Sequence, residues 1–192
     1  MIKIILATSN PHKLEEINAI NKNKNIVFDV VKGDFDPDET GKNFEENATI
    51  KAQEAARITK EYCLADDSGL CIDALEGAPG IFSARYASTP AERINRVLKE
   101  MFGVPYDYRT AHFECCMVLV DTEGNVIHKE TGRVFGYIDD RPKGKNGFGY
   151  DPIFLLPEYD KTMAELSEDE KNKISHRANA LNPMLEWIEE NL

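Results

Sequence analysis

Two adjacent carboxylates and a hydroxyl lie between apolar residues in Leu64-Ala65-Asp66-Asp67-Ser68-Gly69-Leu70. Neighbouring side chains of an extended chain face opposite ways, so one of the two acids would meet a ligand and the other would not. A carboxylate there could bind Mg²⁺, which takes one or two hard oxygen ligands and leaves the rest of its shell to water and phosphate oxygens. It could also accept a proton from an attacking water. An Asx-type turn closed by Ser68-Gly69 is the purely structural alternative.

Three further groups could serve an anionic ligand. Ser9-Asn10-Pro11-His12-Lys13 has the make-up of a strand-to-helix junction, where free amides and the positive helix end attract phosphate. It lacks the G-x-x-x-x-G-K pattern of a Walker loop, and a capped helix with a surface Lys explains the same residues. Asn47 and Lys51 share one helical face, for which solvated charge is the plain alternative. Ser175-His176-Arg177 opens a helix with a basic pair in its first turn, against the helix dipole, so either a polar ligand compensates it or the pair is simply on the surface.

The elements that must position these groups read as α/β. Ile2 to Ala7 and Ile26 to Val31 are strand-like, with a helix carrying Leu14, Ile17 and Ile20 between them. An acidic loop, Lys32 to Lys42, leads to an amphipathic helix from Asn43 to about Lys60, in which Phe44, Ala48, Ala52, Ala55 and Ile58 recur at helical spacing. A strand over Tyr62 to Ala65 follows, which places Asp66-Asp67 at a strand end, where α/β sheets bind ligands. Pro90 to Met101 is helical, and Ala111 to Val120 with Val126 to Tyr137 forms a long hairpin turning at Thr122-Glu123-Gly124-Asn125. Lys143 to Pro152 is a glycine-rich loop bearing Phe148 and Tyr150. The tail is helical from about Ser167, with Pro183 predicting a kink or break, since an interior proline removes a backbone hydrogen bond.

Composition narrows the function. The 192 residues, 42% of them apolar, suit one domain. A formal charge of -11 argues against nucleic acid or anionic lipid as a partner. The four cysteines show no metal-binding spacing and read as reduced thiols of a cytoplasmic protein. The apolar run at Ile2 to Ala7 is too short for a signal-peptide core or a membrane span and reads as a buried strand.

Taken together, "SNPHK", "FEENATIKA", "LADDSGL", "GAPGIFSARY", "GFGYDPIF" and "KTMAELSEDEKNKISHR", in this order and from about Ile4 to Ala180, closely resemble the inosine/xanthosine triphosphate pyrophosphatases. The resemblance implies an α/β fold, an elongated mixed sheet flanked by helices, with residues 1–192 forming one domain of two lobes around a central active-site cleft. It implies Mg²⁺-dependent hydrolysis of ITP, dITP and XTP to the monophosphate and pyrophosphate, by water attack at the α-phosphorus, in a homodimer. By the same resemblance Asp67 is the general base and a metal ligand, and Ser68 touches substrate. Thr8, Ser9, Asn10, Pro11, His12 and Lys13 cradle phosphates, with Lys51 and Lys171 adding charge. Asp38, the aligned position, or its neighbour Glu39 also serves the metal. Phe148, Gly149, Tyr150 and Asp151 embrace the base, Phe148 stacking on it, while His176 and Arg177 read its edge.

Two other readings fit less well. A nucleotide sensor without turnover would lack Asp67 or Lys13, and both are present. A serine hydrolase using Ser68 and His176 would need a G-x-S-x-G elbow, which is missing, and acids beside Ser68 oppose an alkoxide.

Overall fold

A computed structural model describes all residues, Met1–Leu192. The elements, in order, are β1 (Ile2–Leu6), α1 (Pro11–Ile20), β2 (Ile26–Val30), α2 (Phe44–Thr59), β3 (Cys63–Ile72), α3 (Pro90–Glu100), β4 (Thr110–Val120), β5 (Val126–Ile138), β6 (Phe154–Leu156), β7 (Lys161–Thr162), α4 (Glu168–Ile174) and α5 (His176–Asn191), with short 3₁₀ turns between some of them. The seven strands form one mixed sheet in the order β2-β1-β3-β4-β5-β6-β7. β1 runs parallel to β2 and to β3, whereas β5, β6 and β7 are joined antiparallel.

The chain packs as two compact units, Met1–Asp67 with Cys115–Gly132 and His176–Leu192, and Ser68–Glu114 with Arg133–Ser175. In the first, Ile4 and Leu6 of β1, Ile17 of α1, Met117 of β4 and Leu181, Met184 and Ile188 of α5 form one buried cluster. In the second, Leu70, Ile72, Met101, Phe113, Tyr150 and Phe154 belong to another. Burial of such apolar surface is the main favourable contribution to each core.

Local chemistry sets the helix ends. Asn10 accepts the His12 amide and Pro11 follows, a start that needs no amide donor from residue 11. Asn43 accepts the Glu46 amide at 2.8 Å, with Glu45 and Glu46 in the positive first turn of α2. Lys60 ends α2 in the left-handed conformation at φ 59°.

Two expectations need correction. The strand expected to stop at Ala65 continues to Ile72, so Asp66 and Asp67 lie inside β3 rather than at its end. Aspartates are poor strand formers alone, but basic partners from other elements make their burial tolerable, and tertiary context overrides propensity. Of the kink or break expected at Pro183, the break is absent: α5 runs unbroken from His176 to Asn191. The interruption falls instead at Ser175, extended at φ -65°, ψ 155°, which separates α4 from α5. Leu181, Met184, Leu185 and Ile188 remain buried on both sides of the proline, and this packing holds the helix together across it.

Candidate active site

The parallel register of β1 and β3 builds the first part of the site. Ile5 lies opposite Cys63 and Leu6 opposite Leu64, and the Ala7 amide donates to the Leu64 carbonyl at 2.9 Å. The Thr8 to Lys13 turn therefore leaves β1 beside the next residues of β3. Thr8 Oγ1 accepts the Asn10 amide at 3.1 Å, which shapes the turn. Ser9, Pro11 and His12 are exposed, while Lys13 reaches back so that its Nζ lies 3.0 Å from Asp66 Oδ2 and 3.4 Å from the Asp66 carbonyl oxygen.

Asp66 is the centre of a buried charge network. Its Oδ2 also meets Arg177 Nη2 at 3.2 Å, and Arg177 Nη1 pairs with Glu16 on α1. Burial alone would raise the Asp66 carboxyl, but Lys13, Arg177 and Lys51 outweigh it and hold the group well below the usual carboxylate range. Burial disfavours the charge of Arg177 too, and Asp66 and Glu16 more than restore it.

Asp67, next in the strand, has a different surrounding. Its Oδ1 lies 3.5 Å from Lys51 Nζ, and Glu39 Oε1 lies 3.3 Å from the same ammonium. Burial pushes the Asp67 carboxyl above its ordinary value, and the nearby Glu39 and Asp66 carboxylates add to the rise against the pull of Lys51 and Lys13. Lys51 moves upward as well: burial works against its charge, but Asp67, Asp66 and Glu39 together prevail. The two partners do not share the gain equally. One ammonium meets two carboxylates and feels the charge of a third, Asp66, so Lys51 stays charged and Asp67 is the partner held less firmly as an anion.

In the loop before α2 the two acids at 38 and 39 face different ways. Asp38 is exposed, whereas Glu39 turns inward to Lys51. Asp67 and Glu39 thus present hard oxygens to one point. This donor set suits Mg²⁺, because a divalent cation would favour the charged form that burial disfavours at Asp67 and would relieve the repulsion from Glu39 that adds to it. No group of three or more His, Cys, Asp or Glu side chains assembles around a metal position, so most of the coordination shell would come from water and phosphate oxygens, as is usual for Mg²⁺.

The second unit holds the aromatic loop. Asp151 is 3% exposed, and its Oδ2 accepts the Phe148 amide at 3.0 Å and Lys171 Nζ at 2.8 Å. Lys171 Nζ also lies 4.6 Å from the Phe148 ring centroid, a cation–π arrangement that fixes the ring. Gly147 permits this turn: at φ +69° it occupies a region that side chains avoid, and a Cβ would fall 2.0 Å from Asp151 Oδ2. Gly149, at φ +62°, completes the loop.

The Tyr150 hydroxyl donates to the Ser83 carbonyl oxygen at 2.7 Å within the core, and Asp151 braces Phe148 and Lys171. Arg177 is 1% exposed, and its guanidinium pairs with Asp66 and Glu16. His176 stands at the start of α5 and is 6% exposed. β5 passes so close that a Cβ on Gly132 would lie 2.2 Å from the His176 carbonyl oxygen. Ser68 is half-buried in β3.

Glu16 went unnoticed, and Asn47 was read only as sharing a helical face with Lys51. Glu16 sits one residue before Ile17 and four before Ile20, so a charge on the apolar side of α1 was its detectable sign. Asn47 is fully buried, and its Oδ1 accepts the Gly41 amide at 2.8 Å.

The arrangement resembles known proteins along its whole length. A model of the Ham1 family matches residues 4–187. The dITP/XTP pyrophosphatase of Halalkalibacterium halodurans is 46% identical over 192 residues, covering 96% of this chain and 98% of the relative. That of Bacillus subtilis is 44% identical over 195 residues, covering 98% of each. Among solved structures, a HAM1 protein from Coxiella burnetii superposes with a TM-score of 0.89 at 43% identity, covering 99% of this chain and 100% of that one.

Proposed function

Since the chain belongs to the Ham1 family, we propose that it hydrolyses non-standard purine nucleoside triphosphates, dITP, ITP and XTP, to the monophosphate and pyrophosphate. The observation that carries this reading is the pairing of a weakly held carboxylate, Asp67, with a ring of charge made by Lys51, Glu39, Asp66 and Lys13.

In this reading Asp67 accepts the proton of the attacking water, a task helped by a pKa raised toward the working pH. Lys13 and Lys51 stabilise the charge that develops on the phosphates, and the Thr8–Lys13 turn offers amides to their oxygens. Asp67 and Glu39 would hold Mg²⁺, which would neutralise phosphate charge and polarise the reacting centre. Asp66, gripped by Lys13 and Arg177, orients Lys13 rather than reacting. Ser68 contacts substrate. In the second unit, Phe148 offers a stacking face held by Lys171 and Asp151. His176 is the residue proposed to read the base edge, where a donor rewards the C6 oxygen of hypoxanthine or xanthine and is left unpaired by adenine.

The cellular setting is part of the same proposal. All four cysteines are free thiols, in keeping with a reducing cytoplasm. No helix is long and apolar enough to cross a membrane. The net charge of -11 disfavours nucleic acid. Homodimer assembly rests on the family resemblance and is tested by sedimentation.

The decisive assay is a nucleotide panel with Mg²⁺ and product identification. ITP, dITP and XTP should yield monophosphate and pyrophosphate, with ATP and GTP turned over poorly. Equal rates on ATP and ITP would remove the specificity claim, and a diphosphate with orthophosphate would remove cleavage at the α-phosphorus.

A further inference from the structure

The acid that faces Lys51 beside Asp67 comes from a loop without regular structure, and something must hold it there. Glu39 places Oε1 3.3 Å from Lys51 Nζ, and the Thr40 amide donates back to the Asp38 carbonyl oxygen at 3.1 Å in a tight turn. The next two amides are tied to α2: Gly41 N–H donates to Asn47 Oδ1 at 2.8 Å, and Lys42 N–H donates to Glu46 Oε2 at 2.7 Å. Asn47 is fully buried, one helical turn before Lys51.

The contact at residue 41 is close enough to demand glycine. A Cβ there would lie 2.6 Å from Asn47 Oδ1, 2.7 Å from Glu46 Cβ and 2.8 Å from the Asn47 amide nitrogen. Gly41 is not among the positive-φ glycines, so lack of space and not backbone conformation is the constraint. Asn47 Nδ2, by contrast, is sealed from solvent with no acceptor. A buried donor without a partner is costly, and an apolar side chain at 47 would avoid that cost. The asparagine is therefore explained by what its carbonyl oxygen holds.

We infer that Asn47 is a positioning residue for the cation site: by accepting the Gly41 amide it clamps the 38–42 loop onto α2 and fixes Glu39 at Lys51 and Asp67. This rests on the proposal above that Glu39 is a ligand of the divalent cation. Asn47 touches neither the cation nor the reacting atoms. It acts through Glu39, and Lys51 on the same helix face carries the second contact that defines where Glu39 must be.

Three variants test it: Asn47→Ala removes the acceptor, Gly41→Ala leaves Asn47 intact but pushes the loop away, and Glu39→Gln probes the ligand itself. Hydrogen exchange of the free protein, with neither metal nor nucleotide, is expected to show the amides at 41 and 42 exchanging at least about tenfold faster in the first two variants, with α2 protected as before. The Mg²⁺ concentration giving half-maximal ITP hydrolysis should rise about tenfold in all three, with KM for ITP at saturating Mg²⁺ unchanged in the first two. Because Gly41 lies in a loop, its variant keeps the test alive should Asn47→Ala fold poorly. If Glu39→Gln raises the Mg²⁺ requirement while the other two leave it alone, or if exchange at 41 and 42 does not change, the inference is overturned. If Glu39→Gln has no effect on the Mg²⁺ requirement, the cation reading itself fails and takes this inference with it, and that arm identifies which of the two was at fault.

Discussion

Asp66 and Asp67 are consecutive in β3 and both buried, yet their carboxyls are displaced in opposite directions. Asp66 meets Lys13 and Arg177 through a single oxygen, while Asp67 shares one ammonium, Lys51, with Glu39. Alternation along a strand sends the two side chains to opposite faces, where different elements supply different charges. One carboxylate is thereby a fixed anion and the other an adaptable one, which suits a support and a base respectively.

This difference sets opposite signs for the effect of pH on stability. The folded-state pKa of Asp66 lies below its unfolded value of about 3.9, so its contribution is present above that value and is lost as pH falls through the folded one. That of Asp67 lies above, so its contribution is present below the unfolded value and is lost as pH rises through the folded one. Asp66→Asn should then destabilise the protein at pH 7 by roughly 3–5 kcal/mol, the usual cost of stranding buried charge, here on Lys13 and Arg177. Asp67→Asn should raise the Tm of the metal-free protein at pH 7, with the gain closing below about pH 4. Calorimetry at the two pH values reads both, and a shared sign at pH 7 would contradict the assignment.

Asp67→Asn should also lower kcat on ITP by about 10²–10⁴, the usual worth of a general base, with an unchanged far-ultraviolet spectrum. Retained turnover would move the base elsewhere.

Gly147→Ala should act on the aromatic loop. A Cβ 2.0 Å from Asp151 Oδ2, at a φ of +69°, must displace the carboxylate that holds the Phe148 amide and Lys171. A loss of about 1–3 kcal/mol in urea unfolding is expected from the strained backbone. KM for ITP should rise if Phe148 stacks on the base, and an unaltered KM would argue against that stacking.

Pro183→Ala should stabilise the protein. The interior proline forgoes a hydrogen bond worth about 3 kcal/mol with its steric clash, and regaining it is partly offset by about 0.4–1 kcal/mol of added freedom in the unfolded chain. A net gain of about 2 kcal/mol is expected in chemical denaturation. A loss would show that α5 is shaped by the proline rather than in spite of it.

Residue order alone specified a good deal. Apolar periodicity located β1, β2, α1, α2 and the β4–β5 pair, because burial on one face leaves a regular trace in the chain. The cap at Asn10 was readable because capping is a contact between residues two or three apart. The family could be named from ordered motifs. Long-range partners could not be read in this way. That Arg177 turns to Glu16 and Asp66, that Glu39 and not Asp38 reaches Lys51, and that Tyr150 is committed to Ser83 depend on contacts between residues 12 to 161 positions apart. The break allowed for at Pro183 is absent for the same reason, since a helix packed along its apolar face can tolerate what an isolated helix cannot. Local sequence sets which groups are available for chemistry, whereas the charge that surrounds each one, and hence its protonation and its role, is decided only when distant segments are brought into contact.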